Sequence, residues 1–491
     1  MAQVTAVWEW LMEHLVYINL VLSVIIVFFQ RRDPKAVWTW LLCLYFIPVF
    51  GILFYLIFAQ DFRKNRMFRV KEIEDQLRFS IKSQEDFLRR HNTGWEDSIA
   101  VNYGDLILYN LQTAGSVMTR RNKVKLLTDG REKFEDLRQE LARAKHYIHI
   151  QYYIIKDDEV FESLIPILTD RIQHGVEVRI LYDGMGGRFV PRSRWRQLRE
   201  QGILVGCFFP PFLGKLNLRV NYRNHRKIVV IDGHTGYVGG FNIGREYIGN
   251  DERFGYWRDT HLKITGEAVI SLQIRFALDW NYAVKENLFK NTLYFRDFLG
   301  LHQNDIPIVP LGIQIITSGP DSRNPLIRDN YLELFHKARH HIYIQTPYFV
   351  PDDTILSALK IAAQSGVDVK LMIPCKPDHP FVYWATYSYV GDMIEAGVRC
   401  YTYQNGFLHA KGVTVDGQAS CYGTANMDIR SFELNFEVNA IIYDEETTEK
   451  LEHIFLDDLD HCREVTKEIY AQRGLWVRGR EQFSRLLSPL L

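Results

Sequence analysis

A short motif occurs twice in this sequence, and the repeat limits the folds that the chain can adopt. The copies run from Asn224 to Gly233 and from Leu408 to Gly417. In each copy a histidine is followed two positions later by a lysine and, five positions after the lysine, by an aspartate. With 16 histidines in the chain, this spacing should arise by chance about 0.04 times. The repeat therefore needs a structural or chemical explanation, and it involves His225, Lys227, Asp232, His409, Lys411 and Asp416.

Each motif has the pattern of a buried strand that ends in a turn. Residues two apart in a strand point to the same face of the sheet, so each histidine and its lysine are predicted to face one pocket. β-Branched residues follow each lysine, and Asp232-Gly233 and Asp416-Gly417 close the two runs. Because Asp-Gly after a strand is a common turn in its own right, the aspartates either orient the motif or take part in its chemistry.

The repeat extends beyond the motif and covers most of residues 120 to 440. Residues 144–151 match residues 338–345, and residues 175–181 match residues 366–372. The order of strand, helix and strand predicts βαβ units with helices on the faces of a mostly parallel or mixed sheet. The predicted fold class is therefore α/β, with two tandem α/β domains of about 180 residues each, packed as a pseudo-dimer.

The predicted organisation has four parts. Residues 1–60 form a two-helix transmembrane hairpin, and residues 61–120 form a charged helical linker. Residues 121–300 form the first α/β domain, and residues 301–491 form the second with a C-terminal helix. The linker either connects the hairpin to the domains or lies with its basic start along anionic headgroups.

Two apolar segments near the N terminus predict the hairpin. Residues 36–58 carry no charge and would extend about 34 Å as a helix, which is enough to cross a hydrocarbon core. Residues 15–29 are also apolar, but they reach spanning length only together with the residues back to Val7. A signal peptide is the alternative, yet the first residues contain no Lys or Arg and no small-residue cleavage site follows.

The charges around these segments predict a multi-pass membrane protein with cytoplasmic main domains. Five basic residues follow the second segment and three lie in the turn, so the positive-inside rule favours the cytoplasm for the larger part. The six cysteines include no C-x-x-C pair, which favours free thiols in a reducing compartment. The two basic sets are Arg63, Lys64, Arg66, Arg69 and Lys71, and Arg31, Arg32 and Lys35.

The residues of the repeat point to phosphate chemistry without a metal. An asparagine, Asn242 or Asn426, lies 17 residues after each motif histidine. Lysines and amides together suit a phosphate group, although the asparagines could instead form the turns that follow their strands. Lysine is not a ligand for divalent cations, and no Cys/His cluster or H-E-x-x-H segment is present. We therefore expect neither a metal nor a cofactor.

Two histidines allow a two-step transfer. One imidazole can attack phosphorus and form a covalent phosphohistidine, while the other protonates the leaving oxygen and then accepts a proton from the incoming acceptor. Asp259 and Glu437 follow the two motifs in the chain. They are candidates for fixing the tautomer of each imidazole through its other nitrogen, or else they are surface carboxylates.

The paired motifs resemble the signature of the phospholipase D superfamily. Arg32-Asp33-Pro34, residues 47–51 and residues 488–491 are similar to segments of bacterial cardiolipin synthases. This resemblance implies two phospholipase D-like domains that transfer a phosphatidyl group from one phosphatidylglycerol to another and so form cardiolipin and glycerol. It implies that His225 is the nucleophile and that His409 is the general acid and base. The implied partners are phosphatidylglycerol, cardiolipin and anionic membrane lipid.

Other functions stay open. A phospholipase D that uses water as the acceptor, or another transphosphatidylase, would contain the same motifs. A non-catalytic membrane scaffold has no need of two complete sets of nucleophile and acid. A nuclease, and with it a nucleic-acid partner, is disfavoured because 59 basic and 59 acidic residues leave no net charge to attract a polyanion.

Two further segments are candidates for contact with the membrane. Residues 208–212 form an apolar loop before the first motif, which either dips into the lipid interface or is buried. Residues 475–491 mix aromatic residues and leucines with three arginines. This closing segment either forms an interfacial element or packs on the second domain.

Overall fold

The computed structural model describes residues 10, 13–29, 34–49, 51–52, 55, 99, 102–210, 221–295, 310–322 and 324–488. The chain divides into two compact units. The smaller unit contains Met1–Lys64 and Pro211–Asn221, and the larger contains Asn65–Pro210 and Tyr222–Leu491. Residues 30–33, which belong to the predicted turn of the hairpin, and the linker residues 61–90 lie outside the described residues.

The smaller unit contains two apolar helices. Helix α1 spans Leu15–Val24 and continues as a π-helical turn over Ile25–Phe29, and α2 spans Pro34–Phe46. Asn19 Nδ2 on α1 donates a hydrogen bond to the Leu44 carbonyl on α2 at 3.0 Å, which holds the two helices together. Among the described residues, no helix is both long and apolar enough to cross a membrane. Residues 50, 53–54 and 56–58 of the predicted second span lie outside the described residues.

The first half of the larger unit is a mixed sheet covered by helices. Its strands follow the order β1-β9-β7-β6-β2-β3-β4, with β2, β3 and β4 parallel and the others antiparallel. The strands are β1 Thr119–Leu127, β2 Tyr147–Tyr152, β3 Glu177–Asp183, β4 Leu204–Phe208, β5 Arg223–Asn224, β6 Ile228–Ile231, β7 Thr235–Gly239, β8 Trp257–Arg258 and β9 His261–Gly266. The helices are α3 Gly104–Ala114, α4 Gly130–Arg143, α5 Glu159–Gln173, α6 Arg192–Glu200 and α7 Val269–Val284, with 3₁₀ turns at Gly186–Phe189, Arg245–Ile248, Leu288–Lys290 and Thr292–Phe295.

The second half repeats this arrangement. Its sheet has the order β10-β19-β17-β16-β11-β13-β14, with β20 added at the edge. The strands are β10 Pro310–Ser318, β11 His341–Gln345, β12 Phe349–Val350, β13 Asp368–Pro374, β14 Arg399–Tyr403, β15 Phe407–Leu408, β16 Gly412–Val415, β17 Ala419–Gly423, β18 Met427–Asp428, β19 Asn435–Tyr443 and β20 Cys462–Glu464. The helices are α8 Leu326–Lys337, α9 Asp353–Gln364, α10 Pro380–Glu395, α11 Ile429–Glu433, α12 Glu445–Leu459, α13 Lys467–Ala471 and α14 Leu475–Leu486.

The two halves join edge to edge through β1 and β10, which pair antiparallel with Thr119 opposite Ile313. The prediction of two tandem α/β domains is confirmed. Each half has its own buried apolar cluster, in which strand residues pack against the helices on the sheet face. Helix α3 lies in the range predicted as a linker, but Leu106 and Ile107 pack in the core of the second half. Asn110 on α3 also donates to Gln314 at 3.1 Å.

The apolar loop before the first motif is buried where the structure describes it. Phe208 is 0% exposed and Phe209 is 2% exposed. Their rings lie 5.3 and 5.8 Å from the ring of Phe436 in the second half. These two residues therefore form part of the contact between the halves. Residues 211 and 212 lie outside the described residues.

Candidate active site

The first motif histidine is positioned by a short strand bridge between the two halves. Strand β5 pairs in parallel with the start of β19, so that Asn224 lies opposite Phe436. The His225 N–H then donates to the Phe436 carbonyl at 2.9 Å. Glu437 is the next residue along β19, and its carboxylate oxygens lie 2.9 and 3.0 Å from His225 Nδ1. The bridge thus places the imidazole against a fully buried carboxylate.

The second histidine is held by the equivalent bridge in the opposite direction. Strand β15 pairs in parallel with β8, and Leu408 lies opposite Arg258. The His409 N–H donates to the Arg258 carbonyl at 2.7 Å. Asp259 follows, and its Oδ2 lies 2.6 Å from His409 Nδ1. Asp259 is also fully buried, and the Thr260 N–H donates to it at 2.7 Å.

Each carboxylate therefore serves the histidine of the other half. Asp259 follows the first motif and Glu437 follows the second, so each is closest along the chain to the histidine of its own half. The structure instead pairs Asp259 with His409 and Glu437 with His225. The two motifs consequently form one composite site that needs both halves.

The histidines and lysines precede their strands instead of lying within them. Residues 225–227 form an extended segment before β6, and residues 409–411 form one before β16. Successive side chains of an extended segment point to opposite sides. Each histidine and the lysine two positions later therefore still face the same side, and the predicted shared pocket is retained. The strands begin at Ile228 and Gly412, and all of their residues are buried.

Both imidazoles are neutral in the unliganded site at neutral pH. Burial is the main reason that the pKa of His225 is lowered to about 4, with Glu437 opposing the shift and Lys227 adding to it. Burial likewise lowers the pKa of His409 to about 4, with Lys411 adding to the shift. A neutral imidazole whose Nδ1–H donates to a carboxylate has its lone pair on Nε2. Among the described residues, none is hydrogen-bonded to Nε2 of either histidine.

The carboxylates remain ionised despite their burial. Burial alone would raise the pKa of Glu437, but the interactions of its carboxylate with His225 and Lys227 outweigh this effect and hold that pKa below its usual value. The pKa of Asp259 is also lowered, because Lys411 and His409 together outweigh the effect of burial. Each neutral imidazole thus has an anionic acceptor at Nδ1. This arrangement stabilises positive charge that develops on the ring.

The two lysines are fully buried and share the site. Lys227 Nζ donates to the His225 carbonyl at 2.8 Å. Lys411 Nζ donates to the His409 carbonyl and lies 2.8 Å from His409 Nδ1. Burial lowers the pKa of Lys227 to about 7 and that of Lys411 to about 8, with nearby carboxylates opposing both shifts. An anion that enters the site would be bound by both ammonium groups and would favour their charged forms.

The predicted phosphate donors differ between the halves. Asn242 accepts from the Ile154 N–H at 3.1 Å and donates to the Tyr247 hydroxyl at 2.8 Å, so its amide already has two protein partners. Asn426 is 5% exposed, and its Oδ1 has no hydrogen-bond partner among the described residues. An unpaired buried acceptor is costly unless a donor binds to it. Asn426 Oδ1 is therefore available to a hydroxyl of the substrate, but it cannot bind a phosphate oxygen, which is also an acceptor.

The motif aspartates lie at the other end of their strands, away from the histidines. Asp232 follows β6 at φ 54° and accepts from the backbone N–H groups of Lys145, His146 and Tyr147 at 2.7 to 2.9 Å. Asp416 follows β16 at φ 52° and accepts in the same way from the three residues that lead into β11. The structure does not bring either aspartate into the pocket, and both orient their motif strands.

The structure also contains a pair of buried ion pairs that the sequence did not indicate. Arg226, between the first histidine and lysine, donates to both oxygens of Asp279 at 2.9 and 2.8 Å. Its Nε and Nη2 donate to carbonyls of the second half, at Glu437 and Ser318. At the other bridge Arg258, the residue before Asp259, donates to Asp458 at 2.9 to 3.0 Å, while Ala410 occupies the position that matches Arg226. These ion pairs stabilise the two strand bridges.

A repeated glutamine was the signal for these ion pairs. Gln151 and Gln345 occupy the same position in the matched segments 144–151 and 338–345. Gln151 donates to Asp279 at 2.7 Å, and Gln345 donates to Asp458 at 2.7 Å. A polar side chain at the end of a buried strand requires such a partner. The glutamines alone do not identify their partners in the sequence, because neither aspartate lies in a matched segment.

Aromatic rings line the histidines. Tyr153 contacts His225 edge to face at 4.9 Å, and Trp257 lies 5.1 Å from His409. These rings reduce the local polarity, which agrees with the lowered pKa values of both histidines. Within the described ranges, no cluster of three or more His, Cys, Asp or Glu side chains could hold a metal ion.

Comparison with known proteins agrees with this geometry. Residues 137–262 and 331–459 match the family described as cardiolipin synthase, PLD-like domain, and residues 18–60 match the phospholipase D-nuclease N-terminal family. The major cardiolipin synthase ClsA of Bacillus subtilis is 46% identical over 479 residues, which cover 96% of this chain and 97% of that protein. A cardiolipin synthase of Oceanobacillus iheyensis is 44% identical over 476 residues, or 96% of this chain and 97% of that protein. The chain belongs to the cardiolipin synthase family.

The solved structures extend this result for the fold alone. A phosphatidylserine synthase from Haemophilus influenzae matches with a TM-score of 0.57 at 17% identity, over 75% of this chain and 95% of that one. The resemblance to cardiolipin synthases stated from the sequence is confirmed, as is the expectation of a phosphatidyltransferase enzyme with tandem phospholipase D-like domains.

Proposed function

We propose that this cardiolipin synthase acts through a covalent phosphatidyl-histidine intermediate on His225. The donor is phosphatidylglycerol, and His225 Nε2 attacks its phosphorus. The bond from phosphorus to the terminal glycerol oxygen breaks, and His409 gives that oxygen a proton. His409 then takes the proton from the terminal hydroxyl of a second phosphatidylglycerol, whose oxygen displaces His225. The products are cardiolipin and glycerol.

The reciprocal pairing of histidines and carboxylates carries this proposal. Glu437 and Asp259 each accept from Nδ1, so both Nε2 atoms are available for chemistry. His225 can then attack without first losing a proton, because its pKa is about 4. Glu437 stabilises the cationic imidazole that forms when Nε2 bonds to phosphorus.

The general acid requires a protonated His409, which the substrate itself supports. The pKa of His409 is about 4 in the unliganded site. A phosphodiester anion beside the imidazole favours its protonated form, as does Asp259 at 2.6 Å. We therefore propose that substrate binding and protonation of His409 occur together. Lys227 and Lys411 bind the non-bridging phosphate oxygens in this scheme, and Asn426 Oδ1 accepts from a hydroxyl of the substrate.

We further propose that the N-terminal segment anchors the enzyme in the bacterial membrane, with the catalytic domains in the cytoplasm. The uncharged run 36–58 and the basic residues after it support this placement. We place the boundary between the catalytic domains near residue 300, because the two family matches end at 262 and begin again at 331. Membrane phospholipids would then reach the site from the bilayer.

An assay with labelled lipid tests the reaction. The purified full chain in mixed micelles receives phosphatidylglycerol labelled in its terminal glycerol, and the products are counted. We expect one glycerol for each cardiolipin. Phosphatidic acid as the main lipid product would make the enzyme a hydrolase, because water would then be the acceptor. No turnover by a folded protein would favour a non-catalytic scaffold.

A further inference from the structure

Helix α14 has its apolar side chains on the outside. Leu475 and Trp476 are each 85% exposed, Leu486 is 80% exposed and Phe483 is 57% exposed. At 100° per residue these four positions, together with Gly479, fall within an arc of about 100°. We call these four side chains the outer face of α14. A stripe of this width is what a helix normally buries.

The inner face of the same helix is polar. Glu481 and Ser484 are 2% and 1% exposed, and Glu481 forms an ion pair with Arg473. Arg485 donates to Asp392 on α10 at 2.6 Å. The helix is therefore docked on α10 by polar contacts. This docking fixes the outer face in its exposed orientation, so its exposure is not the result of a missing neighbour on the inner side.

Charge distinguishes the partner that this face would suit. Arg478 and Arg480 are exposed on the two borders of the apolar stripe. Glu481, which is the only acidic residue of the helix, is buried and paired. Trp, Phe and Leu bordered by arginines suit an anionic lipid interface, where rings and leucines enter the acyl boundary and guanidinium groups contact phosphates.

The outer face continues toward the active site. Phe381 in the first turn of α10 is 52% exposed, and its ring lies 6.4 Å from that of Phe483. The apolar surface therefore continues from the outer face of α14 to the start of α10. Asp378, three residues before Phe381, is one of the carboxylates whose charge opposes the lowering of the Lys411 pKa.

We propose that the outer face of α14 inserts into the interface of an anionic phospholipid bilayer and places the catalytic pocket against that bilayer. This inference rests on the proposed function, because it concerns delivery of a lipid substrate. A second copy of the chain is the competing partner. The borders of arginine, without an exposed carboxylate on the helix to pair with them, favour anionic lipid over a self-complementary contact.

Fluorescence quenching tests the insertion without requiring turnover. The full chain and its Trp476→Phe variant are reconstituted singly into nanodiscs that contain phosphatidylglycerol, with and without brominated acyl chains. The difference between the two proteins gives the emission of Trp476. We expect this emission to be blue-shifted and quenched by bromine. Unquenched emission typical of a water-exposed tryptophan would overturn the proposal.

A second experiment compares bilayer and monomeric substrates. In Trp476→Ala/Phe483→Ala/Leu486→Ala we expect activity toward phosphatidylglycerol in vesicles to fall to about a tenth or less, because much of the inserted apolar area is lost. Activity toward short-chain phosphatidylglycerol below its micelle concentration should be unchanged. Leu204→Ala/Ile361→Ala/Leu456→Ala is the matched control, because these side chains are 40 to 61% exposed elsewhere. It should retain both activities.

Four other outcomes would contradict either the proposal or the proposed function. Equal loss on both substrates would assign the outer face to stability and overturn the proposal. Full vesicle activity in the triple variant would overturn it as well. A change of oligomeric state in the triple variant, measured by analytical ultracentrifugation, would assign the face to a second copy. Absence of cardiolipin formation by the unaltered enzyme would instead refute the proposed function, and the quenching result would still stand on its own.

Discussion

The two halves hold the carboxylates Glu437 and Asp259 with different residues at equivalent positions. In the second half, Glu437 accepts from Thr424 Oγ1 at 2.5 Å and from Asn435 Nδ2 at 3.2 Å. In the first half Gly240 occupies the position of Thr424, and a Cβ there would lie 1.9 Å from Asp259 Oδ1. A hydroxyl holds the longer carboxylate, whereas the shorter one fills the space of a missing side chain. The repeat thus preserves the place of a carboxylate and not the identity of its neighbours.

The two motif lysines also make different contacts in the two halves. Lys411 Nζ lies 2.8 Å from the ring nitrogen of His409, whereas Lys227 Nζ donates to the His225 carbonyl and lies 5.6 Å from the centroid of the Tyr153 ring. The ring of His409 therefore has a lysine ammonium group at its Nδ1, and in the first half the ammonium group contacts the backbone instead. The backbone symmetry does not make the histidines equivalent, which is consistent with separate chemical roles.

The largest expected effect separates these two roles. We expect both His225→Ala and His409→Ala to lower kcat by about 10⁴-fold or more, because each removes a group that forms or breaks bonds. Only His409→Ala should still form the covalent lipid adduct, which should accumulate because the base for the second step is missing. Mass spectrometry of the protein after reaction with phosphatidylglycerol measures the adduct. An adduct on the His225 variant would mean that His409 is the nucleophile and His225 is the general acid and base.

The crossed pairing predicts which carboxylate variant resembles which histidine variant. Glu437→Gln and Asp259→Asn should each lower kcat by about 10³-fold, because the imidazole loses its anionic acceptor and its preferred tautomer. Glu437→Gln should slow formation of the adduct, as His225→Ala does. Asp259→Asn should let the adduct form and then accumulate, as His409→Ala does. Rapid-quench measurements of adduct formation and decay distinguish the two. The reverse assignment would show that each carboxylate serves its own half.

The contrast between glycine and threonine can be tested directly. Gly240→Ala should lower kcat by about 10²-fold, because the new methyl group displaces the Asp259 carboxylate. Thr424→Ala should cost about tenfold, since Glu437 keeps His225 and Asn435 but loses one hydrogen bond. Thr424→Ser retains the hydroxyl and serves as the control with nearly full activity. Equal effects of the two alanine variants would mean that the halves hold their carboxylates alike.

Much of this site could be predicted from the sequence, and the part that could not depends on contacts between the halves. The motifs are recognisable because His225, Lys227 and Asp232 are spaced by local strand geometry. Asp259 and Glu437 were also found, as acidic residues after each motif. Their crossing was not, because it is set by strand bridges between segments that are far apart in the chain. Short-range spacing contains no information about such bridges.

The role of the motif aspartates is a second feature of the site that the sequence alone does not indicate. The sequence showed two repeats, the Asp-Gly turn and the segment that starts at Ala144, as separate features. In the structure they are one feature, since Asp232 accepts from the first N–H groups of that segment. The role of Arg226 cannot be predicted from the repeat, because its partner Asp279 lies on α7, outside every matched segment.

The lowered pKa values of the two lysines predict that activity is lost at a lower pH than it would be with ordinary lysines. Phosphate binding requires both ammonium groups, and their pKa values in the free enzyme are about 7 for Lys227 and about 8 for Lys411. Since His409 must take up a proton from a pKa of about 4, kcat/KM should already fall about tenfold per pH unit above that value. As the pH rises through the pKa values of the lysines these groups lose their charge, which adds a further fall of about tenfold per pH unit above 7 and another above 8. On the acid side it should fall only near pH 4, where His225 becomes protonated. A pH profile of kcat/KM whose slope does not steepen between about pH 7 and pH 10 would contradict the requirement for charged lysines.

The smallest expected effect on turnover concerns the motif aspartates. Asp232→Asn and Asp416→Asn keep a side chain that tolerates positive φ but weaken three charge-assisted hydrogen bonds each. We expect each to lower the free energy of unfolding by about 1–2 kcal/mol, seen as a lower thermal midpoint, with kcat per folded enzyme unchanged. Lys227→Met is the contrasting variant, because it should lower kcat while leaving the midpoint equal or higher, given the cost of burying an ammonium group. If an aspartate variant instead lost turnover at an unchanged midpoint, that aspartate would act on substrate, and the distinction between the orienting and the reacting members of the motif would fail.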